Sequence, residues 1–172
     1  MFLMHELLKK RRSTRKFKNT IVEVDKIKQI VSAGMVAPSY CNQKLYELVI
    51  VSDKSTLLLL SGIGRWVDFV ANCGVAIVVI SKESAGWIED CALVNGWMMI
   101  EATNLGLSTC WADVKDGKEL DNTDREPVVR NILNIPKEYR VLNILAIGYP
   151  DQNIKEHSET EYREKKVHFE KF

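Results

Sequence analysis

Two spacings of apolar residues alternate along the chain, and each change of spacing marks a structural element. Met4–Arg11 sets Leu7 and Leu8 among charged residues and predicts a short amphipathic helix. Val24–Ala37 places Ile27, Ile30, Val31 and Met35 at helical intervals, and Pro38, which lacks an N–H and clashes with the preceding turn, stops it. Leu45–Val51 predicts a strand, after which Ser52 and Asp53 offer N-caps for a helix running to Leu60. Gly74–Ile80, GVAIVVI, is apolar throughout, as a strand buried on both faces must be.

Trp87–Leu105 is the longest helical window. Ile88, Cys91, Ala92, Met98, Met99 and Ala102 put apolar groups on more than one side, which predicts a central, enclosed helix ended by Gly106. Leu107–Val114 predicts a strand, Glu126 begins a helix with Pro127 at its first position, and Arg140–Tyr149 is a last strong strand. The tail to Phe172 has few core-forming residues before Val167 and Phe169. It is expected to be disordered or to lie across another surface, a partner subunit among the choices. Helices and strands intermingle without a regular βαβ rhythm, which favours the α+β class. With no repeat and no linker, residues 1–172 are expected to form a single domain, 150–172 being its tail.

Composition narrows the function classes. The 172 residues are 46% hydrophobic and 27% charged, an ordinary globular make-up. The 24 basic and 23 acidic residues nearly cancel, which demotes dedicated nucleic-acid binding. No apolar run reaches the ~18 residues of a membrane helix, and MFLMHELLKK is too short in its apolar part for a secretory signal. A cytoplasmic protein with no membrane or nucleic-acid partner is expected. The four cysteines, Cys41, Cys73, Cys91 and Cys110, are widely separated and have no histidine at ligand spacing, so buried thiols are expected rather than zinc or disulfides.

Candidate chemistry is sparse. A P-loop pattern is absent, and the one G-x-G, Gly62-Ile63-Gly64, meets Val67 where a dinucleotide fingerprint needs its third glycine. The three histidines, His5, His157 and His168, are all terminal, so the commonest general acid/base is missing from the interior and an enzyme built this way would have to borrow its chemistry from a cofactor. Against that background KKRRSTRKF stands out. Arg11, Arg12, Ser13 and Arg15 could offer guanidinium forks and a hydroxyl to a phosphate, although a solvated charged face explains the same spacing. Two further stretches, AGMVAPSYCNQKLYELVIV and LGLSTCWADV, put polar or reactive groups at element junctions, where turns and core packing are the ordinary explanations.

Taken in order, these stretches resemble the FMN-dependent nitroreductase family. KKRRSTRKF is similar to the family's R-[RH]-S-x-R-x-F opening, and VAPSYCNQKLYELVIV to its A-P-S-x-x-N-x-Q-P-W-x-F strand entry. WIEDCALVNGWMMIEATNLGLSTCW resembles its central helix and following G-L-G-S-C-W strand, and NIPKEYRVLNILAIGYP its I-P-x-x-Y-x-V…I-G-Y-P segment. The resemblance implies a central, mainly antiparallel sheet flanked by helices, an intertwined homodimer, and FMN shared between subunits. It assigns Arg11, Arg12 and Ser13 to the phosphate end of FMN, and Arg15 to its ribityl chain or O2/N1 edge. Pro38, Ser39, Tyr40 and Asn42 would come from the other subunit, Cys110, Trp111, Ala112 and Asp113 would pass the ring, and Arg163 or Lys166 would close the phosphate end. The implied reaction is ping-pong: NADH or NADPH as donor, then two-electron reduction of a small-molecule acceptor such as a nitroaromatic or quinone, with no catalytic acid or base. Tyr40 and Trp111 are the candidates for stacking on substrate. The departures are Lys44-Leu45-Tyr46 for Q-P-W and Ser108-Thr109 for G-S. They keep open an FMN-binding, storage or sensor protein of the same fold with little turnover.

Overall fold

A computed structural model describes residues 4–118, 123–158 and 162–172. Five α-helices and four strands are found among them, besides three short 3-10 turns: α1 (Glu6–Lys10), α2 (Val24–Met35), β1 (Tyr46–Val51), α3 (Lys54–Ser61), β2 (Val75–Lys82), α4 (Trp87–Asn104), β3 (Ser108–Asp113), α5 (Arg125–Leu133) and β4 (Tyr139–Gly148). The expected segments are all present, with small shifts at their ends. Local chemistry explains the ends. The Asp53 carboxylate accepts from Thr56 N at 2.8 Å and starts α3. At the end of α4, Gly106 takes φ +75°, which only glycine adopts without strain, so that Leu107 N reaches Ala102 O at 2.8 Å. Pro127 is not the first residue of α5 but its third; it still lies in the first turn, where its missing N–H leaves no intrahelical bond unmade.

The strands form one sheet in the order β1-β2-β4-β3, every neighbouring pair antiparallel. The two central strands are covered on both sides. Val75, Ile77 and Val79 of β2 face α2 and α4, whereas Ala76, Val78 and Ile80 face α3 and α5. In β4 the pairing slips where Val79 meets Asn143 and Ile80 meets Val141, leaving Leu142 as an extra residue. A bulge of this kind reverses the inward–outward alternation. It sends Val141 to the α3 and α5 side, whereas the polar Asn143 keeps the face of Leu145 and Ile147 toward α4, where Asn95 meets it with two hydrogen bonds of 2.8 and 3.0 Å.

The enclosed α4 expected from its pattern is only partly realised. Cys91, Val94, Met98 and Ala102 are buried against the sheet and α2. Leu93 and Trp97 are 42% and 46% exposed and line an apolar groove with Leu8 and Val36. No helix among the described residues is long and apolar enough to cross a membrane.

The start of the tail lies on its own chain. Lys18 N bonds Tyr149 O, Asp151 N bonds Lys16 O, and His157 N bonds Lys9 O, each at 2.9 Å. Residues 150–157 thus run back along the arginine-rich segment, while residues 162–172 are exposed throughout.

Candidate flavin and acceptor site

The segment after α1 is extended because it has a sheet edge to lie on. Ser13 bridges Thr109 of β3, Thr14 N donates to Thr109 O at 2.9 Å, and Phe17 bridges Pro150. With Thr14 and Phe17 buried as pegs, Ser13 and Arg15 are left facing outward. Arg15 thereby reaches a cavity of about 520 Å³ beside Trp111, Ala112 and Asp113 of β3. Its guanidinium carbon stands 5.9 Å from the centre of the Phe69 ring, within the range of cation–π attraction. Trp111 Nε1 donates to the Asp113 carboxylate at 3.3 Å, and Arg125 donates to the Asp113 carbonyl at 3.2 Å.

Trp66, Val67, Phe69 and Arg125 complete this cavity. They lie in the Leu60–Val75 and Lys115–Arg125 stretches, whose compactness relative to the family is expected to shape a substrate pocket, but the sequence singles out none of them as a site residue. The available signal was the aromatic pair in GRWVDF, between the two glycines of the failed fingerprint and the buried strand. Arg125 belongs to no motif of its own and ends the Lys115–Arg125 stretch. The connector between Lys115 and Arg125 lies partly outside the described residues.

The Pro38–Asn42 group stands elsewhere. Pro38, Ser39 and Tyr40 line a second concavity of about 410 Å³ over the start of α4, and it shares no lining residue with the first. Tyr40 N donates to the Asp90 carboxylate at 2.6 Å. Gly86 admits the tyrosine, since a Cβ there would come within 2.6 Å of Tyr40 Cβ. Cys41, Asn42 and Lys44 all have positive φ (48°, 55° and 49°), an uncommon conformation for residues with side chains. The loop is braced by Ser39 Oγ, which accepts from Lys44 N at 3.1 Å.

The Lys44–Tyr46 departure has a structural use here. Lys44 Nζ and Tyr46 Oη both donate to Met35 O, at 3.1 and 3.2 Å, and so satisfy the carboxyl end of α2, with the lysine's charge matching the helix dipole.

The other candidate residues are dispersed. Arg11 lines the apolar groove of α4, and Arg12 donates to the Lys155 carbonyl, tying the tail to the arginine segment. Arg163 precedes a single exposed turn that contains Lys166, and neither lines either concavity.

The thiols are not poised for chemistry. Burial pushes the Cys110 thiol up, with Arg15 pulling the other way, and burial raises Cys73 to about 11 and Cys91 to about 12. All four cysteines are free, and Cys41 alone is exposed where a buried thiol was expected. No cluster of potential metal ligands occurs among the described residues.

A family model described as the nitroreductase family matches residues 8–149. Among solved structures, an FMN-dependent nitroreductase from Clostridium difficile R20291 is 35% identical and covers 96% of this chain and 98% of its own, with a TM-score of 0.93. A relative from Archaeoglobus fulgidus carries the provisional name NADH dehydrogenase/NAD(P)H nitroreductase. It is 26% identical over 179 residues, covering 98% of this chain and 100% of its own. A solved structure from Parabacteroides distasonis under the same provisional name is 28% identical, covers 97% of each chain and has a TM-score of 0.87. A match over this span, on a sheet with the same flanking helices, establishes that the chain belongs to the nitroreductase family.

Proposed function

We propose that the protein is an FMN-dependent NAD(P)H oxidoreductase that works as a homodimer and reduces quinones, nitroaromatics or similar acceptors by two electrons. The observation that carries this reading is the 520 Å³ cavity, where Arg15 and aromatic side chains meet an edge of the sheet. Its donor set suits FMN. Flat aromatic walls match a tricyclic ring, and the Arg15 guanidinium would stabilise negative charge on its reduced form. Arg11, Arg12 and Ser13 would take the phosphate end, with Arg163 or Lys166 closing it. FMN, when bound, supplies the two-electron relay, so donor and acceptor use the same cavity in turn. The overall balance is NAD(P)H + H⁺ + quinone → NAD(P)⁺ + hydroquinone. No side chain of the cavity need donate a proton, in keeping with the lack of histidine in its lining.

The dimer rests on two features. Leu8, Val36, Leu93 and Trp97 leave an apolar face open along α4, and exposed faces of this kind mark association surfaces. In addition, the Pro38–Asn42 loop shares no lining with the Arg15 cavity, in keeping with a flavin site that this loop would reach from the partner subunit. The exposed residues 162–172 would lie on that subunit as well.

Two measurements test the reading: the visible spectrum of the purified protein, with flavin bands near ~450 nm, and steady-state NAD(P)H oxidation with menadione. A colourless protein that takes up no added FMN overturns it. Bound flavin with negligible turnover favours the storage or sensor alternative.

A further inference from the structure

We propose that Trp66 is the platform on which the acceptor stacks, and that it selects planar, electron-poor fused-ring acceptors of the naphthoquinone type over single-ring ones. The inference rests on the reductase reading and names the substrate class of that site.

Trp66 is 76% exposed, yet its backbone is fixed. The turn that contains it closes through Val67 N to Gly64 O at 3.0 Å, and Ile63 and Val67 are buried. The fold therefore holds a large indole at the rim of the cavity instead of letting it fold into the core one residue away. The cavity's other two aromatic rings are more buried. Phe69 is buried with the Arg15 guanidinium near its face, and Trp111 is tied to Asp113 through its N–H. Trp66 is the most exposed of the three.

The chemistry of the indole sets the preference. An indole face is electron-rich, whereas oxidised quinone and nitroaromatic rings are electron-poor, so the two attract in an offset stack. A fused two-ring acceptor covers both rings of the indole and a single ring covers one. After the acceptor gains two electrons and two protons, its ring becomes electron-rich and the attraction weakens, so the same contact that draws the quinone in releases the hydroquinone.

The test uses 2,3-dimethyl-1,4-naphthoquinone and duroquinone, both fully substituted on the quinone ring so that the exposed Cys41 thiol does not add to them. Binding to the oxidised holoprotein is measured by calorimetry, alongside steady-state kinetics and FMN affinity, for wild type, Trp66→Ala and Trp66→Phe. The expected result is a naphthoquinone Kd and KM raised about 3- to 10-fold in Trp66→Ala, from the loss of one aromatic stack. The change falls on KM rather than kcat, is smaller for duroquinone, and is largely restored in Trp66→Phe. Equal losses for both quinones, or no rescue by phenylalanine, overturn the assignment. A matching fall in FMN affinity places the indole on the cofactor and overturns it too, as does a change in sedimentation, which places it at a subunit contact. Wild-type protein without flavin overturns the reductase reading itself, and this one with it. Wild-type protein that reduces both quinones equally well leaves the reductase reading intact and refutes only this inference.

Discussion

The Asn95–Asn143 pair offers a measurable test of how α4 is locked to the sheet behind the cavity. Both residues are fully buried, and each side-chain amide donates to the other's carbonyl oxygen. Asn143 also pairs in register with Asp113, so the lock sits directly behind the strand that lines the site. The two partners are not equivalent. Asn95 Nδ2 has a second acceptor in Cys91 O at 2.9 Å, whereas the bonds of the Asn143 side chain both go to Asn95. Truncating either residue leaves the other's buried amide short of partners, a cost of about 1–3 kcal/mol. The small void adds about 1 kcal/mol more. Asn143→Ala should therefore cost about 2–3 kcal/mol, and Asn95→Ala about 1 kcal/mol more than that, because it strips Asn143 of every partner. The double variant removes both stranded amides and should cost about 1–3 kcal/mol less than the sum. Urea unfolding at fixed protein and FMN concentration measures all four corners of the cycle, since ligand and partner otherwise shift apparent stability. Additivity within about 0.5 kcal/mol, or an Asn143 variant weaker than its Asn95 counterpart, refutes the argument.

Three other outcomes are expected. Arg15→Ala should raise the FMN dissociation constant about 10- to 100-fold, the range of a lost charged hydrogen bond, and shift the flavin potential downward; fluorescence titration and potentiometry check this, and unchanged values remove Arg15 from the site. Trp97→Glu puts a charge on the apolar face of α4 and should turn a sedimenting dimer into monomers that lose FMN; a monomer with stoichiometric FMN contradicts the shared site. Hydrogen bonds from Ser55 and Thr56 hold the Asp53 carboxyl down at about 2, against an ordinary value of 3.8. Its contribution is complete above the ordinary value and fades as pH falls through about 2, so thermal melts of Asp53→Asn in acid should show a shallower loss of stability than wild type. Parallel pH profiles would show that the cap adds nothing.

What the residues determined alone is mostly local. The unbroken apolar run of β2, the Ile27–Ile30 spacing of α2, the Asp53 cap and the Gly106 stop each depend on neighbours within a few positions, and each appears in the structure as its chemistry requires. The family motifs were legible for a related reason: each is contiguous, so a short stretch carries both the backbone shape and the polar groups. The rest depended on which strands became neighbours. The order β1-β2-β4-β3 makes β3 an edge, and that edge draws the arginine segment out of helical geometry. The slip in β4 decides that Val141 faces α3 and α5 while Asn143, Leu145 and Ile147 face α4, which strict alternation along the strand does not indicate. Lys44 and Tyr46 resembled a damaged cofactor motif until α2 ended within their reach. The cavity unites Arg15, Trp66, Trp111 and Arg125 from four separate parts of the chain, and such distant residues share a surface only once the burial of the sheet's two faces has fixed where each segment runs.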